Sequence, residues 1–227
     1  MLDKALDLSL RNGHRERLRQ NFLDGKLAKY EVLELLLSYA IPRRDVRPLA
    51  RMLLNKFGGM YSVLSASIED LCKVPGMGQN TAIFIKTIQS VMLAGFSDEF
   101  KNSTIYQTQE HLNNYCKLML GGKSIEEMHV LYLDVNYRLI EDQLHSVGTN
   151  DSAAVYPTEI AKHAVLLDAR FVVMIHNHPR EHTSFSKEDE AVTNTVRDKL
   201  NAVNVTLLDH CIVSGGIMYS MHDFGLI

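Results

Sequence analysis

The chain has 227 residues, 46% of them hydrophobic and 22% charged, with a net charge of −3. That composition excludes a disordered chain and supports a packed core in one large or two small domains. No apolar run approaches the roughly 18 residues that a membrane span needs. Charges also interrupt MLDKALDLSLRNGHRERLRQ, where a signal peptide would carry an apolar block, so a cytoplasmic protein with no membrane partner is expected. The charge is uneven. Residues 1–95 hold 14 Lys and Arg against 9 Asp and Glu, while residues 96–227 hold 10 against 18. A mildly basic front and an acidic back suggest two domains with different partners, the front being the one to face nucleic acid. Cys72, Cys116 and Cys211 are odd in number, far apart and outside any C-x-x-C pair. They argue against a disulfide framework or a cysteine zinc site and for buried neutral thiols.

In chain order, the front reads as helices. LAKYEVLELLLSYA (27–40) has apolar residues at helical spacing and stops before Pro42. VRPLARMLLNKFGG (46–59) repeats the pattern and ends on Gly58-Gly59, a C-cap signal. SIEDLCKV (67–74) reads as a short helix capped by Ser67, with Asp70 three residues on. PGMGQNTAIFIKTIQSVMLAG (75–95) is a glycine turn leading into a longer helix, and GFSDEFKNSTIYQ (95–107) is a polar linker with the domain boundary near 102. The expected division is therefore residues 1–101 and 102–227.

The back changes period. EHLNNYCKLMLGG (110–122) is one more helix; MHVLYLDV and RLIEDQLHSV around Asn136-Tyr137 then read as a strand hairpin. PTEIAKHAVLLD (157–168) is a helix begun by Pro157, FVVMI (171–175) a buried strand, SKEDEAVTNTVRDKLNAV (186–203) a helix, and VTLLDHCIVSGGIMYSM (205–221) two strands joined at Gly215-Gly216. Alternating strands and helices behind a helical front give an α/β (α+β) fold with a mixed sheet flanked by helices.

The chemistry collects at the end of FVVMI, which runs straight into His176-Asn177-His178-Pro179. Residues two apart on an extended chain point to the same side. Asp189 follows 11 positions after His178, in the first turn of a helix that Ser186 caps. Two imidazoles and one carboxylate with a fourth position open form the ligand count of a catalytic zinc. Ser186 accepts a bond as the helix cap, and its hydroxyl proton is expected to remain free to face a developing oxyanion. The bland alternative is a polar strand-end loop, since His182 shows the segment to be histidine-rich. Asp209-His210 offers a pair that orients a ligand or a satisfied core histidine. In the front, Gly76 and Gly78 of VPGMGQNTA permit a tight turn that turns backbone N–H groups toward a DNA phosphate, with Lys73 and Lys86 alongside. A plain packing joint would use the same glycines.

HNHP with Ser186-x-x-Asp189 resembles the JAMM (MPN-type) metalloprotease motif, H-x-H-P followed by S-x-x-D. Together with RERLRQNFL, ELLLSYAIPRRDVRPLARMLLNKFGG, VPGMG, VLYLD, VGT, VYPTEI and LLDHCIV, it is similar to the RadC family of bacterial JAMM-domain proteins, from Arg15 to the C-terminus. VPGMGQNTA resembles a helix-hairpin-helix. The RadC resemblance implies zinc held by His176, His178 and Asp189, and a catalytic glutamate at the start of the first strand. EEMHVLYLD supplies two candidates, of which Glu127 matches best; Glu159, early in a helix, is the main rival. Where such proteins continue HNHP with Ser-Gly, this chain has Arg180-Glu181. The implied function is a zinc hydrolase of peptide or isopeptide bonds with a front that binds DNA backbone without sequence preference. A repair or recombination adaptor and a metal-dependent nuclease are the alternatives. The residues name neither the substrate nor the oligomeric state.

Overall fold

The computed structural model describes residues 2–103, 109–148, 154–179 and 184–227, with side chains described from Gly13 onward except at Gln109. Seven helices come first: α1 (Leu2–Leu23), α2 (Lys29–Ala40), α3 (Arg47–Phe57), α4 (Met60–Ser65), α5 (Ile68–Cys72), α6 (Gln79–Asn102) and α7 (Gln109–Leu120). Then follow β1 (Glu127–Leu133), β2 (Leu139–Val147), α8 (Pro157–Leu166), β3 (Phe171–Asn177), α9 (Lys187–Asn201), β4 (Thr206–Ser214) and β5 (Ile217–Ser220). The fold is thus α/β, a helical front followed by a mixed sheet with helices on both faces. Among the described residues no helix is long and apolar enough to cross a membrane.

Local chemistry sets the ends of these elements. Gly58 closes α3 at φ 80°, the left-handed region that a glycine enters at no steric cost. Ser67 and Ser186 cap α5 and α9 in the same way, each hydroxyl oxygen accepting the backbone N–H of the aspartate three residues on. Residues 95–102 depart from the sequence reading, which made them linker: they continue α6. Phe96 and Phe100 lie four apart on one stripe of that helix, and Phe100 is wholly buried against α7 and the sheet. Burying that side chain contributes about 2–3 kcal/mol, enough to carry the helix through its polar neighbours. The thiols also divide, for Cys72 is exposed while Cys116 and Cys211 are buried.

The sheet order is β2-β1-β3-β4-β5. β1 is antiparallel to β2 and β3, β3 is parallel to β4, and β4 is antiparallel to β5. Alternation sorts the side chains into two layers. Leu131, Leu133, Val173, Ile175, Cys211 and Val213 pack against α7 and the end of α6. Met128, Val130, Tyr132, Val172 and Met174 pack against α8 and α9. A third core lies among α2 to α6 and takes in Leu118 of α7. Gln89 of α6 donates to the Leu118 carbonyl at 2.6 Å in the same buried region.

Candidate metal centre

β3 carries the alternation of its buried residues to its last turn. Val172, Met174 and His176 share the face toward α8 and α9, and His178 follows just past the strand end. α9 begins opposite, and its first turn holds Asp189. His176, His178 and Asp189 bring one ligand atom each within 4.8 Å of one another. The two Nε2 atoms lie 2.9 Å apart; Asp189 Oδ1 is 3.3 Å from that of His176, and Oδ2 is 3.8 Å from that of His178. Ligands at about 2.0–2.1 Å from a tetrahedral zinc stand about 3.3 Å apart, so these spacings fit the ion.

The hydrogen-bond chain behind His176 fits it as well. His176 Nδ1 is 2.8 Å from His210 Nε2, and His210 Nδ1 is 2.6 Å from the Thr193 hydroxyl. Thr193 spends its one proton on the Asp189 backbone carbonyl. It must therefore accept from His210 Nδ1–H, which leaves His210 Nε2 to accept from His176 Nδ1–H. His176 Nε2 then carries no proton and turns its lone pair to the centre, as a metal ligand must. Burial pushes His210 well below the ordinary histidine value, which keeps that ring neutral. The pair read from the sequence splits across the sheet. His210 faces the centre, while Asp209 points to the other layer and accepts from Ser220 Oγ at 2.6 Å and His222 N–H at 3.1 Å.

Ser186 differs from expectation in one respect. Its oxygen accepts from Asp189 N–H at 3.0 Å, but its proton is not free, for it donates to Asp189 Oδ2 at 2.6 Å. The Ser186 backbone N–H adds a second bond to Oδ2 at 2.8 Å. Ser186 thus aims the carboxylate rather than an oxyanion. Those two bonds favour the ionised form of the Asp189 carboxyl, the form that a cation takes.

Glu127 lies on the wrong face for a base. β1 pairs Met128 with His176, so these two share a face and Glu127 points through the opposite one. There it bonds Lys123 Nζ at 2.8 Å and lies 3.6 Å from His129 Nε2. The neighbouring Glu126 has the phase of Met128 and His176 and is only 8% exposed. Asn177, the middle residue of His-Asn-His and 1% exposed, fixes that phase. Its Oδ1 accepts Glu127 N–H at 2.9 Å and its Nδ2 donates to the Ile125 carbonyl at 3.0 Å, clamping the backbone on both sides of Glu126. Sequence reading passed over Asn177, whose only signal was its place between two histidines. Glu159 is exposed on α8 and paired with Lys162 at 3.0 Å. Arg180, Glu181 and His182 lie outside the described residues.

A family model described as RadC-like JAB domain matches residues 106–226. UPF0758 protein FN0909 of Fusobacterium nucleatum subsp. nucleatum is 36% identical over 225 residues, covering 95% of this chain and 97% of that protein. UPF0758 protein SPO0054 of Ruegeria pomeroyi is 35% identical over 217 residues, covering 94% and 97%. The chain belongs to the RadC-like JAB-domain family. JAB-type domains are generally hydrolytic and can bind zinc, and the centre just described lies within the matched span.

The front of this RadC-like chain holds the other expected site. α5, a turn and α6 form a pair of helices joined at Gly76 and Gly78. Gly76 sits at φ 90°, with Arg44 over it; a Cβ there would lie 2.3 Å from the guanidinium. Gly78 caps α6 without a side-chain bond. The two lysines are less available than their positions suggest. Lys73 pairs with Asp70 at 2.9 Å and Glu69 at 3.2 Å. Lys86 turns inward to the carbonyls of Leu64 and Ser65, and burial, with Lys123 nearby, lowers its pKa to about 8.

Proposed function

We propose that this chain is a zinc-dependent hydrolase of peptide or isopeptide bonds. The observation that carries the reading is the convergence of His176 Nε2, His178 Nε2 and Asp189, with the hydrogen-bond chain through His210 and Thr193 leaving the His176 nitrogen unprotonated. Zinc held by His176, His178 and Asp189 would lower the pKa of a water to about 7 and would polarise the carbonyl to be attacked. The protein does the rest. Ser186 and Thr193 aim Asp189 and His176. Glu126, buried on the same face, takes the proton of the attacking water and delivers it to the departing nitrogen. Asn177 keeps Glu126, rather than Glu127, turned to that face.

A screen of the zinc-replete chain against peptides, isopeptide-linked peptides and DNA tests this. Amide cleavage that a chelator abolishes is the expected result. Phosphodiester cleavage, or none of any kind, overturns the reading. For the front half, the turn at Gly76 and Gly78, with the Arg44 guanidinium over Gly76, supports weak contact of the α6 N-terminus with DNA phosphate. Since Lys73 and Lys86 are engaged, such binding is slight and salt-sensitive. A duplex titration at low salt with no shift, or binding unchanged at high salt, refutes it.

A further inference from the structure

Glu126 sits on a stretch that apolar packing does not hold. Leu120 and Met128 are buried, but among the described residues from Gly121 to Glu127 no apolar side chain is. Gly121 and Gly122 have none, Lys123 and Glu127 pair with each other, Ser124 is exposed, and Ile125 is 43% exposed. A stretch with so few buried apolar contacts takes its place from hydrogen bonds and close backbone approaches.

The sheet supplies one set of these. Asn177 Nδ2 donates to the Ile125 carbonyl at 3.0 Å and Asn177 Oδ1 accepts Glu127 N–H at 2.9 Å, while the Glu126 carbonyl accepts Gly148 N–H at 2.8 Å. The helical front supplies the other. Gly122, in the link from α7 to β1, approaches α4 so closely that a Cβ would lie 1.9 Å from the Ser62 carbonyl oxygen. Two residues on, Ser124 Oγ donates to Asp70 Oδ2 of α5 at 2.6 Å.

Asp70 is itself firmly held. Ser67 Oγ donates to the same oxygen at 2.9 Å, and Lys73 Nζ donates to the other at 2.9 Å. The bond from Ser124, and after it that from Lys73, lowers the Asp70 pKa to about 2, so the acceptor is ionised at neutral pH. A hydrogen bond to an ionised acceptor is roughly twice as strong as one between neutral groups. The residue two before Glu126 is thus tied to α5, and the residue one before it to the metal-bearing strand.

We propose that Asp70, acting through Ser124, is a positioning residue of the metal centre: it fixes where β1 begins and so where Glu126 stands. The helical front is then a working part of the site. The inference rests on the hydrolase reading, in which Glu126 is the base, and adds a residue from the other half of the chain on which that base depends.

The test uses the full zinc-loaded chain as wild type, Ser124→Ala, Asp70→Ala, the double variant, and Ser124→Thr, which keeps the hydroxyl. Amide hydrogen exchange is read at Glu127 and Gly148, whose N–H groups bracket Glu126. It is also read at His178, whose N–H the Val213 carbonyl holds at 3.0 Å on the β4 side. Exchange at Glu127 and Gly148 is expected to quicken about tenfold in either Ala variant, as when a bond to a charged group is lost. The double variant should exchange no faster than the faster single one, since the two residues act through one bond. Ser124→Thr should restore the wild-type rate, and the His178 amide and the zinc content should not change. On a peptide that the chain cleaves, kcat should fall about tenfold in the Ala variants with KM unchanged, the mark of a misplaced base.

Indifference of Glu127 and Gly148 to both Ala substitutions overturns the inference. So does quickening shared by His178, which marks a general loss of stability, or additive effects in the double variant, or a kcat that stays constant while exchange rises. A wild type that loads zinc and cleaves nothing counts against the hydrolase reading, and the exchange rates then decide the hold from Asp70 by themselves.

Discussion

On one face of the sheet Asp142, His129, Glu127 and Lys123 stand in a row; on the other stand His210, His176, His178 and Asp189. Both rows bring imidazole and carboxylate together, but the first row alternates acid and base. Asp142 meets His129 Nδ1 at 2.8 Å, His129 Nε2 lies 3.6 Å from Glu127, and Glu127 meets Lys123 at 2.8 Å. Tyr115 donates its hydroxyl to the second oxygen of Asp142. Every charge has an opposite neighbour, and the row completes itself. The second row places three imidazoles beside one carboxylate, and the chain from His176 through His210 to Thr193 runs away from the centre, leaving the His176 Nε2 lone pair turned inward. Only the second leaves lone pairs converging, the arrangement that a cation completes.

The widest separation between the faces is expected in metal content. Under zinc-replete conditions the wild-type chain carries about one zinc, and His176→Ala or His178→Ala carries none. His129→Gln and Glu127→Gln stay loaded. Elemental analysis decides it. A wild-type chain without zinc would sink the comparison, and so would zinc that departs with His129.

Next comes the pair of adjacent glutamates, which the strand sends to opposite faces. Glu126→Gln should keep zinc and lose about 10²–10⁴-fold in hydrolysis, the usual worth of a general base. Glu127→Gln should stay within a few-fold of wild type, since it removes only a partner of Lys123 and His129. Equal losses in the two variants, measured on any peptide the chain cleaves, would show that the phase of β1 does not assign the base.

A smaller effect tests the reach of the second row. His210→Ala removes the acceptor that holds the His176 proton on Nδ1. Zinc affinity is then expected to fall about 10–100-fold with the three ligands intact, as when a ligand's hydrogen-bond partner is lost. Competition with a chelator reads this directly. An unchanged affinity would reduce His210 to a packing residue.

How far these faces could be read from the sequence follows from what each step requires. The strand run FVVMI, the caps at Ser67 and Ser186 and the glycine stop at Gly58 are local signals, and those elements form as read. Ser67-x-x-Asp70 shows why S-x-x-D alone says little: its serine oxygen caps a helix as Ser186 does, yet among the described residues Asp70 joins no metal-ligand cluster. The choice between Glu126 and Glu127 was not local. It depends on the pairing of Met128 with His176 and on the clamp from Asn177, neither of which leaves a trace in spacing. The run from Gly95 to Asn102 misled because its polar residues outnumber Phe96 and Phe100, although two buried aromatics four apart were enough to hold the helix. The proton of Ser186 was misplaced because capping fixes only what the oxygen accepts. Where the hydroxyl donates depends on the rotamer of Asp189.

The last test is the smallest and concerns the self-completed row alone. Burial disfavours a charged His129, but Asp142 and Glu127 outweigh it and raise its pKa to about 8. A raised folded value means that the protonated ring stabilises the fold. That contribution is fully present below the unfolded value of about 6.5 and is lost as pH rises through about 8. The difference between those values corresponds to about 2 kcal/mol at most. Denaturant unfolding of wild type and His129→Gln should therefore differ more at pH 6 than at pH 9. Lys86 titrates in the same range, but it is present in both chains, so their difference isolates His129. A gap that stays constant from pH 6 to pH 9 would mean that Asp142 and Glu127 do not hold the ring charged, and the alternation of acid and base along that face would lose its energetic meaning.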